Sequence, residues 1–341
     1  MKVIVDNKIP YINEAIEKLA DEVVYLPGAS FTPEAVKDAD ALIVRTRTLC
    51  NRELLEGSQV RFIATATIGY DHIDTDYCQK AGIVWTNCPG CNAGSVEQYV
   101  HSVLLLLKRE KGLDLEHSTI GVVGVGYVGS RVASMAKNMG MRVLLNDPPR
   151  ADKGEEGFVD LQTIAQECDI ITFHTPLYKE GIYKTYHLAD EAFLFSLQRH
   201  PFFINSSRGE VVDTHALLEA RASGRVREVI IDTWEHEPLI NEDLLKVAYI
   251  ATPHIAGYSA DGKANATRMS LEALCRFFHI EAKFEIIPPA LPLIEFSTDE
   301  EEAFLQLYNP LLDSERLKNA PDKFEWFRGN YPLRRESVTL P

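Results

Sequence analysis

An arginine, a carboxylate and a histidine stand in three short segments: Ser206-Ser207-Arg208-Gly209, Glu235-His236-Glu237-Pro238 and Thr252-Pro253-His254-Ile255-Ala256-Gly257. Together they suit removal of a hydride from a carbon whose hydroxyl lies beside a carboxylate. That reaction needs a base for the hydroxyl proton, and histidine is the side chain whose ordinary pKa lies nearest neutrality. His254 follows the strand-like Tyr249 to Ala251. Glu237 would hold its imidazole in one tautomer and stabilise the imidazolium. Arg208 offers a planar fork to a carboxylate and to a developing carbonyl oxygen. Each residue alone has a plainer reading, as a hydrogen-bonded loop histidine, a Glu-Pro turn or a solvated Arg-Gly. Three such residues, each at a strand end and all downstream of one nucleotide loop, favour a shared site.

That loop is Gly124-Val125-Gly126-Tyr127-Val128-Gly129, which follows the apolar Ile120 to Val123 and opens a helical pattern through Val132, Met135 and Met139. In this setting the first glycine permits a tight turn, the second lets backbone approach a pyrophosphate, and the third lets helix pack on strand. The helix N-terminus then presents unpaired N–H groups to phosphate. Asp147, 18 residues after Gly129, ends the next strand, where a carboxylate accepts hydrogen bonds from ribose hydroxyls. It would repel a 2′-phosphate and so favours NAD. Arg150 could accommodate that phosphate, which keeps NADP open.

The elements that must position these residues alternate. Short runs rich in Val, Ile, Leu and Phe at 2–5, 41–44, 61–63 and 83–85 are separated by amphipathic stretches such as 12–20 and 51–55. A longer helical pattern runs from Gly94 to Lys108, and a second alternation follows at 119–123, 142–145, 169–173, 202–204 and 228–231. The pattern predicts two parallel α/β units in one chain. Beyond about residue 280 the prolines at 288, 289 and 292 and the acidic run Asp299 to Glu302 mark a separate segment.

With 341 residues, 45% hydrophobic and 25% charged, the chain has the composition of a globular protein of more than one domain. Its net charge of -15 argues against nucleic acid or an anionic membrane as partner, so an anionic substrate must be caught by local cations. No stretch approaches the roughly 18 apolar residues of a membrane span, and Met1 leads directly into a strand; the expectation is a cytoplasmic protein. Six cysteines are too sparse for a disulfide scaffold. Cys88-Pro89-Gly90-Cys91 is a CxxC without a second ligand pair, so no zinc site is expected; a Pro-Gly turn with incidental thiols outweighs a redox pair.

The nucleotide loop, together with TATIGYDHID, NSSRGEVVD, DTWEHEP and TPHIAGYS, resembles the D-isomer-specific 2-hydroxyacid dehydrogenase family. DPPRADKGEEG, TFHTPLYKEGIYKTYHL, HIAGYSADGKA and the late FRGNYPLRRE resemble its branch serving pyridoxine 5′-phosphate (vitamin B6) biosynthesis. The resemblance implies oxidation of 4-phospho-D-erythronate by NAD to 2-oxo-3-hydroxy-4-phosphobutanoate, in a homodimer. It implies two parallel-sheet domains, Rossmann-like or flavodoxin-like, and a small C-terminal α+β dimerisation segment. Their expected extents are 1–93 with 258–280 for the substrate domain, 94–257 for the NAD domain and 281–341 for the dimerisation segment.

Residue by residue it implies Arg208 and Glu237 as active-site residues and His254 as the proton-transfer residue. Asp147, Thr175, Asp232 and Gly257 would contact NAD beside Gly124, Gly126, Tyr127, Val128 and Gly129; Thr46, Thr67 and Tyr258 would contact substrate. Thr46 lies between Arg45 and Arg47, a hydroxyl and two cations where an anion could be gripped. Arg334 or Arg335 is a further expected source of positive charge at an active site. Two departures stand out: Cys88 is not expected at its place, and residues 281 to about 320 match poorly and are short. Rival readings are a related dehydrogenase acting on phosphoglycerate, glyoxylate or pyruvate, a non-enzymatic NAD-sensing regulator, and a thiol oxidoreductase built on Cys88 and Cys91.

Overall fold

The computed structural model describes residues 1–292 and 295–337. These form two compact units, one of residues 1–92 with 259–292 and one of residues 93–258 with 295–337.

The first unit is built on five strands, β1 (Lys2–Asp6), β2 (Glu22–Leu26), β3 (Ala41–Val44), β4 (Phe62–Thr65) and β5 (Val84–Thr86), in the order β2-β1-β3-β4-β5. Every pairing is parallel. β3 and β4 are buried along their whole length, as apolar runs covered on both faces must be. β2 is the strand that the sequence pattern missed. It lies at an edge with most of its residues half-exposed, although Val23 to Leu26 form an apolar run, and Lys2 and Glu22 pair at 2.8 Å. The helix Ala260–Phe278, capped by Ser259, closes the unit by stacking Phe277 on Phe62 with ring centroids 5.1 Å apart.

The second unit carries β6 (Thr119–Val123), β7 (Arg142–Asn146), β8 (Ile170–Phe173), β9 (Phe202–Asn205), β10 (Glu228–Ile231) and β11 (Ile250–Ala251), again all parallel. Their order is β11-β10-β9-β8-β6-β7, so the direction of chain progress reverses between β6 and β8. In open parallel sheets ligands bind outside the carboxyl ends of strands at such a reversal. The helix Ala93–Lys111, longer at both ends than its sequence pattern, contributes twelve buried residues to the core beside it.

The two parallel-sheet units match the expected fold class. The C-terminal stretch differs from its expectation as an α+β segment: residues 295–337 hold helices at Glu300–Leu307, Pro310–Asn319 and Phe324–Gly329, and no strand among the described residues. These helices pack into the second unit, with Leu305, Tyr308, Leu317 and Phe324 in its core. No helix among the described residues is long and apolar enough to cross a membrane.

Candidate active site

His254 sits three residues beyond β11, at φ +55°, a left-handed conformation uncommon for a side chain larger than glycine. The surrounding main chain fixes it there. Its N–H donates to the Asp232 carbonyl at 2.8 Å, and the Asp232 carboxylate, beyond the end of β10, accepts from the Thr252 hydroxyl at 2.7 Å and from the N–H groups of Ile255 and Ala256 at 2.8 and 3.0 Å. Asp232 is 1% exposed, and burial pushes its carboxyl up even though these bonds and the nearby His254 pull it down. Sequence resemblance made Asp232 a cofactor contact; its visible work is to pin the histidine loop.

His254 Nδ1 lies 2.8 Å from Glu237 Oε2, the pairing expected of a base and its orienting carboxylate. With Nδ1 so engaged, Nε2 is the nitrogen that remains to exchange a proton with a ligand. The other Glu237 oxygen accepts from the Trp234 N–H at 2.9 Å, and the Trp234 indole donates to the Thr252 carbonyl at 2.9 Å. Burial favours the neutral acid at Glu237, but the hydrogen bond and charge of His254, the Trp234 N–H and the charge of Arg328 together hold the carboxyl below its ordinary value.

Arg208 follows β9. Its Nη1 donates to the Ser207 carbonyl at 2.8 Å, and Asn205 Nδ2 donates to the Arg208 carbonyl at 2.9 Å. Gly209 brings this loop onto the segment bearing Glu237: a Cβ there would lie 1.9 Å from the Trp234 carbonyl carbon and oxygen. Arg208, Glu237 and His254 are therefore tied to one another through main chain at the ends of three strands.

The glycine loop has the geometry its sequence implies. Gly124 is at φ +87°, and a Cβ on it would meet the His174 and Thr175 main chain at 2.8 Å. A Cβ on Gly129 would lie 2.0 Å from the Gly124 carbonyl oxygen, so helix packs directly on turn. Gly126 has open space at the same place, the room a pyrophosphate needs. Tyr127 is exposed and Val128 half-buried. Three buried hydroxyls without a partner, on Thr175, Ser206 and Thr233, lie just past β8, β9 and β10. His174 adds a buried, unpaired Nδ1, and burial holds its imidazole neutral with a pKa pushed down to about 3. Such orphaned donors at the carboxyl ends of three adjacent strands fit a polar ligand. Sequence reasoning had named Thr175; Ser206 and Thr233 lay inside quoted segments without a role.

Asp147 caps the turn after β7, accepting from the N–H groups of Arg150 at 3.2 Å and Val125 at 2.8 Å. Arg150, the residue that kept NADP open, is engaged elsewhere: its Nε donates to Glu155 at 2.8 Å and its Nη1 to the Val125 carbonyl at 2.7 Å. Gly257 is half-buried in the loop after His254, and Tyr258 stands edge-on to Tyr331 at 5.9 Å.

Thr46 and Thr67 belong to the first unit, just past the adjacent strands β3 and β4. Thr46 is exposed, and Arg45 beside it donates to the Lys8 carbonyl at 3.1 Å. The Thr67 hydroxyl donates to the Gly69 carbonyl at 2.8 Å and lies 2.7 Å from the Thr65 hydroxyl. Cys88 and Cys91 are thiols buried in the expected turn, with Gly90 at φ +78° and the Cys91 N–H donating to the Cys88 carbonyl at 3.2 Å. Burial pushes the Cys88 thiol up, away from the thiolate that redox work requires.

Arg334, one of the two arginines expected to bring charge to an active site, is engaged within the fold. Its Nε, Nη1 and Nη2 donate to Gln98, the Ile255 carbonyl and the Ser95 carbonyl at 2.8, 3.1 and 2.5 Å, and its guanidinium lies 3.5 Å from the Tyr308 ring centroid. These bonds fasten the C-terminal stretch to the helix Ala93–Lys111 and to the histidine loop. Arg328, on the helix Phe324–Gly329, is a further cation whose charge acts on Glu237, after that of His254.

Fold and site together describe a nucleotide-dependent dehydrogenase of hydroxy acids. Residues 96–256 match the NAD binding domain of the D-isomer specific 2-hydroxyacid dehydrogenases, and the chain belongs to that family. Along its length it is similar to erythronate-4-phosphate dehydrogenase of Bacteroides thetaiotaomicron, 64% identical over 339 residues that cover 98% of this chain and 97% of the relative. It is also similar to the Porphyromonas gingivalis protein of that name, 43% identical over 98% and 94% of the two chains. Among solved structures, NAD-bound 3-phosphoglycerate dehydrogenase of Entamoeba histolytica is 28% identical with a TM-score of 0.68, over 82% of this chain and 95% of the other. D-lactate dehydrogenase of Aquifex aeolicus, complexed with NAD and lactic acid, is 27% identical with a TM-score of 0.67, over 82% and 96%.

Proposed function

We propose that the chain oxidises 4-phospho-D-erythronate at C2 with NAD, giving 2-oxo-3-hydroxy-4-phosphobutanoate in pyridoxine 5′-phosphate biosynthesis. The observation that carries this reading is the 2.8 Å His254–Glu237 pair in a nucleotide-binding unit whose whole chain is 64% identical to a protein named for this activity. NAD, when bound, supplies the hydride acceptor. The Gly124–Gly129 loop, the unpaired hydroxyls of Thr175, Ser206 and Thr233, and Asp147 would hold it.

In this reading His254 takes the C2 hydroxyl proton on Nε2 while Glu237 stabilises the imidazolium that results. Arg208 orients the substrate carboxylate and the forming carbonyl. Thr46, Thr67 and Tyr258 contribute substrate contacts. A homodimer, which the family resemblance implies, is part of the proposal.

The reading is tested by NADH formation with a panel of acids. Turnover with 4-phospho-D-erythronate should exceed that with 3-phosphoglycerate, D-lactate and glycolate; absence of that preference would assign the chain to another activity of its family. Nucleotide choice is tested at Asp147. Asp147→Ala should raise the KM for NAD by about 10- to 100-fold, the value of one or two hydrogen bonds to a charged group, and should relax discrimination against NADP. An unchanged KM for NAD would remove Asp147 from the cofactor site.

A further inference from the structure

His254 holds a left-handed conformation, which persists in a residue other than glycine only where the surrounding structure over-determines the main chain. Asp232 constrains the loop from one side: its carbonyl accepts from the His254 N–H, and its carboxylate from the Ile255 and Ala256 N–H groups. Those bonds fix N–H groups only. The Ile255 carbonyl has other partners, accepting from the Tyr258 N–H at 2.9 Å and from Arg334 Nη1 at 3.1 Å. The residue beside the proposed base is therefore held at its N–H by Asp232 and at its carbonyl by Arg334.

Arg334 can fix that carbonyl because it is itself fixed. Its Nε and Nη2 donate to Gln98 Oε1 and the Ser95 carbonyl, both on the helix Ala93–Lys111, which has twelve buried residues. Gln98 Nε2 donates in turn to the Arg335 carbonyl at 2.8 Å, so one buried side chain grips two successive residues of the C-terminal stretch. The Ser95 hydroxyl donates to Glu336 at 2.8 Å, and the Tyr308 ring covers the guanidinium. The same stretch also steadies β11, where the Ala251 N–H donates to the Ser314 hydroxyl at 2.9 Å, just ahead of the histidine loop.

A guanidinium that is 4% exposed and hydrogen-bonded to neutral groups is costly to bury, and packing alone would be served by an apolar chain of similar length. A planar fork does what an apolar chain cannot: it engages the loop and the helix at once, in fixed directions. We propose that Arg334 is a positioning residue for proton transfer at His254. It ties the Ile255 carbonyl to the helix Ala93–Lys111 and so fixes where the imidazole stands against Glu237. This inference rests on the function proposed above, in which His254 takes the proton.

The test compares wild type, Arg334→Met and Arg334→Lys well below their melting temperatures. Three quantities are read: single-turnover NADH formation with 4-phospho-D-erythronate, NADH binding, and amide hydrogen exchange over residues 252–258. Arg334→Met should slow single turnover by about tenfold, because a shift of about 1 Å between groups that act together typically costs about a hundredfold and this loop keeps its Asp232 bonds. NADH binding should stay within twofold of wild type, while exchange over 252–258 becomes faster. Arg334→Lys keeps the charge but not the fork, so its rate should fall between the two. If the methionine variant does not melt cooperatively, the lysine variant is read alone in the same way. A wild-type single-turnover rate or wild-type exchange over 252–258 in the folded variant overturns the proposal. So does a loss confined to the KM of the acid, or one matched by an equal loss of NADH binding, which would make Arg334 a general support of the unit. Failure of the wild type to turn over this acid counts against the proposed function; the variants are then compared on whichever acid of the panel the wild type oxidises, and the same outcomes decide.

Discussion

His254→Ala is expected to lower kcat by about a thousandfold while leaving NADH binding within twofold of wild type, a loss in the range assigned to general acid–base catalysis. The imidazole is held at both ends of its connection to the protein. Its backbone is fixed by the Asp232 carbonyl, and its Nδ1 by Glu237. The residue makes no visible contribution to the glycine loop, so loss of the ring should leave the nucleotide site standing. Single-turnover formation of NADH separates the chemical step from product release. Activity within tenfold of wild type would show that another group takes the proton.

Gly209→Ala should be nearly as damaging, though it removes no functional group. The added methyl would sit 1.9 Å from the carbonyl carbon and oxygen of Trp234 and 2.4 Å from the Glu235 nitrogen. These are main-chain atoms that cannot swing aside as the end of a flexible side chain can. The loop bearing Arg208 must therefore separate from the segment bearing Glu237, at a cost of about 1–3 kcal/mol or more in stability. A displacement of about 1 Å between groups that act together typically reduces turnover by about a hundredfold. The expected outcome is a melting temperature lower by several degrees and kcat reduced by about a hundredfold or more. Gly126→Ala is the contrasting case, since its Cβ would meet open space. It should fold normally and lose affinity for NAD alone. Wild-type kcat in Gly209→Ala would mean that the two loops can part without consequence.

Much of the second unit was legible in the sequence. β6, β8 and β9 are fully buried parallel strands and read as mainly apolar runs. The glycine loop declares itself because its residues serve the main chain, and main-chain constraints appear as residue types at fixed spacing. His254 and Glu237 are legible for a related reason: few residue types can do the chemistry proposed for them, and each follows a strand. β2 was missed although Val23-Val24-Tyr25-Leu26 is an apolar run ended by Pro27-Gly28; the run lies at the sheet edge, where these four residues are only half-buried. The setting of Arg334 was not legible. Charge in a sequence signals exposure or an anion, yet Arg334 is 4% exposed with its nitrogens bonded mainly to carbonyls. Arg328 gained its setting from a long-range packing contact that no local pattern encodes. The strand content expected beyond residue 280 failed for the same reason: three short helices there owe their stability to the core they join, and helices of 6 to 10 residues have little stability alone.

The first unit is discontinuous in the chain. Its helix Ala260–Phe278 follows residues 93–258, all of which belong to the other unit, before Phe277 reaches Phe62. Until residues 93–258 are compact, that contact closes a very long loop and costs the corresponding chain entropy. Once they have folded, their two ends are held in place and the return costs little. During synthesis the five strands of the first unit emerge early but must wait, with the face destined for this helix uncovered, until the nucleotide-binding unit has been made. The unit that begins to emerge first is therefore the last to be completed, and a lesion in the nucleotide loop can leave apolar surface uncovered in the other unit.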